Sequence, residues 1–285
     1  MLGTLLALSC SALWGTSDFL GGYLARQVPL SRVLLVSQLT GLVAIVAVAC
    51  VVSGAPALTP RTLLALPAGI SFVIGIGSFY RALAVGSMGV VAPIAALGAL
   101  IPIAGGLVSG DRPGAAQFLG MAVALVGVVV TTREVRSEQT PEGARNRQAI
   151  LLAVLAGAGF GLTQLALAVG AESDPYWSIG FVRIAAVATL LLYLVAFGPG
   201  LASVRERGGR SVWPLLLIGI VDISAMTAFT VSTNHGDLSV VTVLSSLFPV
   251  VTVLLATVFL RERLNRPQVV GASMTLAGAI LLSAG

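Results

Sequence analysis

The chain has 285 residues, of which 57% are hydrophobic and only 9% are charged, and its mean hydropathy is +1.02. A soluble domain is about one quarter charged, so this composition excludes a soluble fold and predicts an all-α polytopic membrane protein. All 16 basic residues are arginine, which excludes lysine-based Schiff-base or P-loop chemistry. Cys10 and Cys50 lie in separate apolar runs and His235 is the only histidine, so we expect no metal site and no cofactor.

Five apolar segments fill the first part of the chain. Each has about the 20 residues that a helix needs to cross ~30 Å of hydrocarbon. The predicted spans are Leu2–Leu24, Val33–Val52, Leu63–Val85, Val90–Ser109 and Ala115–Thr131.

A polar stretch of mixed charge, Thr132–Gln148, then divides the chain nearly in half. We interpret it as a linker between two units, 1–131 and 149–285, because its charges are too mixed for a binding patch. Five more spans follow, so the prediction is ten. They are Ala149–Gly170, Ser178–Phe197, Val212–Thr233, Ser239–Leu260 and Pro267–Ser283.

The two halves contain an internal repeat. Three polar or glycine positions of the fifth span recur in the tenth at a constant offset of 151, and Arg32 and Arg183 share that offset. Five spans is an odd number, so the second half must enter the membrane from the opposite side. Such inverted repeats are typical of transporters, whose substrate site lies between the halves. The pairs in the fifth and tenth spans are Gln117 with Gln268, Gly120 with Gly271, and Gly127 with Gly278.

The segment from Phe248 to Leu282 resembles the last two helices of the EamA domain in the drug/metabolite transporter superfamily. It has a helix with a proline, a turn that carries Glu262, and a helix with spaced glycines. Trp14-Gly15 is similar to the family's Trp-Gly pair. The resemblance implies ten helices in two inverted five-helix repeats, around a central cavity that moves small metabolites or drugs across a bacterial inner membrane.

Two positions depart from the family pattern. Gly110-Asp111-Arg112 replaces the turn glutamate of the first half, and Phe160-Gly161 stands where a second Trp-Gly would fall. We therefore do not expect these positions to carry the family's function.

The arginine distribution predicts an orientation. Turns after the odd-numbered spans hold or adjoin thirteen arginines, and the opposite turns hold only Arg61 and Arg112. The positive-inside rule then places both termini outside. The family resemblance, by contrast, implies termini inside for many members.

Charged residues inside spans are the strongest functional candidates, because an isolated charge there costs about 2.5 to 3.5 kcal/mol on insertion scales. Asp222, in the eighth span, is the clearest. It is either a protonatable or substrate-binding group, or a structural partner of Arg183. Arg183 could also extend to the interface instead.

Other polar and aromatic candidates lie in the first-half spans and in the sixth span. Asp18 lies late in the first span, where the alternatives are a structural or gating pair with Arg81 and a contact with substrate. A hydrogen-bonding side chain in hydrocarbon favours a cavity position, and Trp14 could stack on a substrate or pack ordinarily. The candidates with hydrogen-bonding side chains are Gln38, Tyr80 and Gln164.

Prolines interrupt the fourth and ninth spans, which correspond in the repeat. Proline removes a helical hydrogen bond and kinks the helix. Paired kinks indicate moving gates, with static kinks as the alternative. The residues are Pro93, Pro102 and Pro249.

These features favour a secondary transporter, not an enzyme, that works by alternating access on a small-molecule substrate within a lipid bilayer. We expect export, proton coupling through Asp222, and no nucleic-acid partner; a homodimer stays open. The alternatives are a membrane-embedded enzyme acting on lipid-linked substrates, or a lipid flippase of the same fold.

Overall fold

The computed structural model describes residues 2–56, 58–112, 114–131, 141–196, 212–261 and 266–284. Every regular element in those ranges is a helix. A backbone in hydrocarbon finds no water to bond, and a helix satisfies its N–H and C=O groups within a single segment. The all-helical prediction is therefore confirmed over the described part of the chain.

Seven α-helices and one short 3₁₀ turn lie in the described part of the first half. They are α1 (Leu2–Ala25), α2 (Leu30–Val52), α3 (Pro60–Leu63), α4 (Ala65–Val85), α5 (Met88–Ala96), the 3₁₀ turn Leu97–Ala99, α6 (Leu100–Ser109) and α7 (Ala115–Thr131).

Six α-helices lie in the described part of the second half. They are α8 (Pro141–Ala171), α9 (Pro175–Ala196), α10 (Trp213–Ser232), α11 (Leu238–Ser245), α12 (Phe248–Leu260) and α13 (Arg266–Ala284).

Seven helical stretches among the described residues are long and apolar enough to cross a membrane, by length and composition. The chain is therefore a multi-pass membrane protein. Helices α1, α7 and α13 lie over the three remaining predicted ranges. The seven stretches are Leu30–Val52, Pro60–Val85, Met88–Ser109, Arg147–Ala171, Pro175–Ala196, Trp213–Ser232 and Leu238–Leu260.

The predicted linker is partly helical. Helix α8 begins at Pro141, eight residues before the predicted boundary at 149. Proline suits the first turn of a helix, and glutamate, alanine, arginine and glutamine in 141–148 are good helix formers even in water. Residues 132–140, the turn glutamate Glu262 and the arginines in 197–211 lie outside the described residues.

Two membrane-length stretches are broken near their middle. The first passes from α5 through the 3₁₀ turn at Leu97–Ala99 into α6. The second is interrupted at Ser246 and Leu247, between α11 and α12. Pro249 is in the first turn of α12. Pro102 is the third residue of α6, and Pro93 lies inside α5 without ending it. The predicted interruptions are thus present, each ahead of a proline that lacks a backbone donor.

The two halves pack through specific helix pairs. Helix α1 packs on α10 and on α11 and α12; helix α8 packs on α4 and on α5 and α6. Helix α2 crosses α9, and α7 packs along α13. The four repeat glycines of α7 and α13 are all buried, which fits a close-packed seam.

Polar contacts mark the helix ends. Arg26 Nε and Nη2 donate to the Leu83 carbonyl at 3.1 and 2.9 Å, at the C-terminus of α4. A cation there complements the helix dipole. Asp111 accepts hydrogen bonds from the Ser239 backbone N–H at 2.9 Å and from its hydroxyl at 2.7 Å, at the start of α11. Asp111 therefore links the end of α6 to the beginning of α11.

Candidate functional site

A buried polar cluster joins helices α2, α9 and α10. The Arg183 side chain is fully buried, and it forms an ion pair with Asp222 and donates a hydrogen bond to Gln38 Oε1. Arg183 therefore does not extend to the interface, which corrects that expectation. The ion pair is the contact that the structural alternative predicts for Asp222, whose charge is matched within the protein.

The packing around the Arg183 guanidinium is apolar. Its carbon Cζ lies 4.6 Å from the centre of the Phe72 ring, and Nη2 lies 3.8 Å from the Met226 sulfur. Its Nε has no hydrogen-bond acceptor among the described residues. Gly41 borders this group, and a Cβ there would lie at an ordinary contact distance of 3.7 Å from Cζ. The cluster thus holds one charge pair in largely apolar surroundings.

A cavity lies beside this cluster, between the two halves of the chain. Its wall has contributions from α1, α4, the broken stretch α5–α6, α8, α10 and the break between α11 and α12. Of the predicted site residues, four line it: Trp14, Asp18, Gln164 and Asp222. The other lining residues are Phe72, Ile76, Ala95, Ala96, Gly98, Ala99, Phe160, Thr163, Leu167, Met226, Ser246 and Phe248.

Asp18 differs from Asp222 in having no partner. It is 7% exposed and makes no hydrogen bond or ion pair with any described residue. The predicted pair with Arg81 is wrong, because Arg81 is exposed near the end of α4 while Asp18 faces the cavity. The two residues belong to contacting helices, but one side chain points outward and the other inward.

Tyr80, Gln38 and Arg183 lie outside the cavity wall. Tyr80 is buried between α4 and α1, with its ring directly over Gly21. Gln38 is held by Arg183. These three predicted candidates therefore act in packing, and none contacts the cavity.

Aromatic rings follow one another along the cavity. Trp14 lies 6.5 Å from Phe248 and Phe79 lies 6.3 Å from Phe248, both edge to face. Phe79 then contacts Phe160 at 5.5 Å, and Phe160 lies 6.4 Å from Phe72. Four of these rings, Phe72, Phe79, Phe160 and Phe248, were not among the predicted site residues, and Phe79 lies behind the cavity wall.

Phe160-Gly161 was not expected to carry the family's function, yet it occupies the position that Trp14-Gly15 has in the first half. A Cβ on Gly15 would lie 2.6 Å from the Phe248 carbonyl oxygen, and a Cβ on Gly161 would overlap the Gly98 carbonyl oxygen. Each glycine thus lets its helix approach the break in the other half's broken stretch. Phe160-Gly161 lies 146 positions after Trp14-Gly15, and this offset could have identified Phe160 from the sequence.

The helix breaks belong to the cavity wall. Gly98 and Ala99 of the first break and Ser246 and Phe248 of the second line it. Proline has no N–H, so the carbonyl four residues earlier loses its helical donor. Irregular backbone of this kind is tolerated at membrane depth where it borders a cavity. Pro93, Pro102 and Pro249 are all buried, and none lines the cavity.

Residues 147–284 match the sequence model of the EamA-like transporter family. The match lies in the second half of the chain. EamA proteins form part of the drug/metabolite transporter superfamily, and the predicted resemblance is confirmed.

Two further similarities accompany the EamA match. Over 135 residues the chain is 27% identical to an uncharacterized protein of Methanocaldococcus jannaschii, covering 47% of this chain and 96% of that protein. That relative therefore has about half the length of this chain. A solved structure, described only as the crystal structure of a protein, covers 99% of this chain and 96% of its own with a TM-score of 0.71 and 19% identity. At that identity the similarity shows the fold alone.

Proposed function

We propose that the chain is a secondary transporter of small organic molecules in the bacterial inner membrane, with ten spans in two inverted five-helix repeats, and that it works by alternating access. The observation that carries this proposal is the cavity, whose wall takes three spans from each half and includes both helix breaks. Discontinuous helices at the interface of two repeats are where many transporters bind substrate.

The inverted repeat is supported by matching contacts. Gly69 packs against the Val182 carbonyl, and a Cβ there would lie 2.5 Å away. Gly219 packs in the same way against the Ser37 carbonyl. Gly219 lies 150 positions after Gly69, and Val182 lies 145 positions after Ser37. Two halves related by a pseudo-twofold axis would produce such reciprocal pairs.

These contacts favour a different register for one helix pair. With an offset of 145 between α2 and α9, the equivalent of Arg183 would be Gln38 and not Arg32. The offset differs between helices because the connecting turns differ in length. The hydrogen bond from Arg183 to Gln38 then joins equivalent positions where α2 and α9 cross.

The broken stretches support the inversion as well. Helix α5 packs on α12, and α6 packs on α11. The first half of one stretch thus meets the second half of the other, as in an antiparallel crossing. Five-helix units of opposite orientation have this geometry, whereas parallel repeats would place first halves together. The half-length relative fits a unit of one repeat.

Blocking the cavity tests the transport proposal. Ser246 is half-buried in the cavity wall, so Ser246→Trp should fill the cavity. Ser224→Trp is the control, because it places the same ring on an exposed face of α10. Untargeted metabolite profiles would compare cells that express each variant, the unmodified chain or none. We expect the unmodified chain and Ser224→Trp to move metabolites across the membrane, whereas Ser246→Trp should move none. The direction of displacement also tests export, and identical profiles in all four cultures would contradict transport.

We propose that any driving proton is carried by Asp18 and not by Asp222, which Arg183 neutralises. Unpaired carboxyl groups inside spans are typical of proton relays. In proteoliposomes, Asp18→Asn should abolish the substrate flux that a pH gradient drives. Unchanged pH-driven flux in Asp18→Asn would rule out this role.

Reporter fusions test the proposed orientation, with both termini outside. A C-terminal alkaline phosphatase fusion should be active and a fluorescent-protein fusion dark. The opposite pattern would show that both termini lie inside, and it would not contradict the proposed transport through the cavity.

A further inference from the structure

The charges around the cavity do not balance. Two carboxyl side chains, Asp18 and Asp222, line it, and no arginine or histidine of the described residues does. Asp222 is matched by Arg183 behind the wall. The cavity therefore carries one uncompensated carboxyl group, that of Asp18.

Asp18 is placed to contact a ligand. It is 93% buried and faces the cavity, and it has no partner in the part of the chain that the structure describes. Burying a carboxylate without a partner is costly, because water no longer solvates it. A ligand with a positive charge would supply the missing partner, and so would a proton.

The remaining wall suits an organic cation and not a hydrated metal ion. Trp14, Phe160 and Phe248 present aromatic rings, and Phe72 has one face occupied by Arg183. A cation within about 6 Å of an aromatic ring centre is attracted by the ring quadrupole, and quaternary ammonium groups are recognised in this way. No group of three metal-ligating side chains occurs among the described residues.

Gln164 is the polar residue of the second half that corresponds to Asp18. It is 146 positions after Asp18, the offset that relates Trp14 to Phe160, and it lines the cavity from α8. The second half thus places a neutral amide where the first half places a carboxyl. Two acidic positions would favour a dication, whereas one carboxyl and one amide match a single positive charge with one additional hydrogen-bond acceptor.

We propose that the cavity binds monovalent organic cations with an apolar or aromatic body, held by Asp18 and the surrounding rings. The proposal rests on the transporter function above, and it names the substrate class for the same cavity. An anion is disfavoured because Arg183, the nearby cation, is already paired with Asp222 and does not reach the wall.

Matched benzyl compounds test the charge preference. Benzyltrimethylammonium, benzyl alcohol and phenylacetate share a ring and differ in charge. Each would be titrated against the purified full-length chain while its thermal unfolding is followed, since a ligand that binds only the folded state raises Tm. We expect the cation alone to stabilise the protein.

Two single substitutions separate the site from a general charge effect. Asp18→Asn should weaken binding of the cation by at least about 30-fold, because removing one partner of a buried charge contact typically costs 2 kcal/mol or more. Asp237→Asn removes the same charge from an exposed turn and should leave binding unchanged. Unfolding of the ligand-free variants would be measured first, to confirm that both are folded.

The outcomes distinguish this inference from the transporter proposal. Stabilisation by phenylacetate or benzyl alcohol but not by the cation would overturn the cation preference, and transport could still hold. Equal stabilisation of the Asp18→Asn variant by the cation would also overturn it. Asp18-dependent binding without flux of the cation in proteoliposomes would support the site and contradict the transport function.

Discussion

Asp222 and Asp18 are two buried carboxyl groups on one cavity wall, yet their surroundings differ. Asp222 is 4% exposed and ion-paired with Arg183, while Asp18 is 7% exposed and has no partner among the described residues. Depth in a span therefore does not distinguish the two carboxyl groups. The difference lies in whether a neighbouring helix supplies a cation.

Removing the paired carboxyl should have the largest effect. Asp222→Asn leaves the Arg183 guanidinium buried without its counter-charge, and breaking a buried pair from one side costs about 3 to 5 kcal/mol. Thermal unfolding of the detergent-solubilised chain would show a marked loss of stability. Asp18→Asn is the matched control, and we expect equal or greater stability because no partner is lost. Similar destabilisation by both substitutions would remove the distinction between the two sites.

Replacing both members of the pair should recover much of that loss. In Arg183→Met combined with Asp222→Leu, no charge stays buried, and apolar replacement of buried ion pairs is often neutral or stabilising. The double variant should unfold at a higher temperature than Asp222→Asn, with the cation site at Asp18 still present. If it were no more stable than Asp222→Asn, the uncompensated charge would not be the cause.

A smaller effect is expected at Phe72. Phe72→Leu keeps an apolar side chain but removes the ring below the Arg183 guanidinium, so about 0.5 to 2 kcal/mol of cation–π stabilisation should be lost. Phe79→Leu, also buried but without a guanidinium above it, serves as the control for ring removal. A double-mutant cycle with Arg183→Met would isolate the interaction; an interaction energy near zero would contradict it.

The last predicted change concerns the comparison between the two halves of the chain. Gln164→Glu would place a second carboxyl at the position equivalent to Asp18, and we expect benzyltrimethylammonium to bind roughly tenfold more tightly, or about 1.4 kcal/mol. Isothermal titration would measure the change. Unaltered or weaker binding would mean that Gln164 does not face the same ligand.

Particular residues show how far sequence reasoning reached. The all-helical class was predictable because lipid allows few backbone structures. The breaks in the fourth and ninth spans were predictable because proline lacks a backbone N–H. The family resemblance was also visible in the sequence. Trp14, Gln164, Asp18 and Asp222 were predicted as candidates and do line the cavity. Phe160 was discounted, although its offset from Trp14 pointed to it. Phe72 and Phe248 had no distinguishing signal among ten phenylalanines.

The amino-acid sequence by itself determined that the chain lies in a membrane, since an apolar content of 57% cannot be buried in a soluble core. It also determined where helices could form and where prolines would interrupt them. Only the tertiary structure decided which carboxyl is neutralised, because Arg183 and Asp222 are 39 positions apart and meet through the packing of α9 on α10. The same packing leaves Asp18 facing the cavity and turns Arg81 outward. Side-chain direction around a helix and contacts between distant helices depend on three-dimensional packing, which no local pattern in the chain contains.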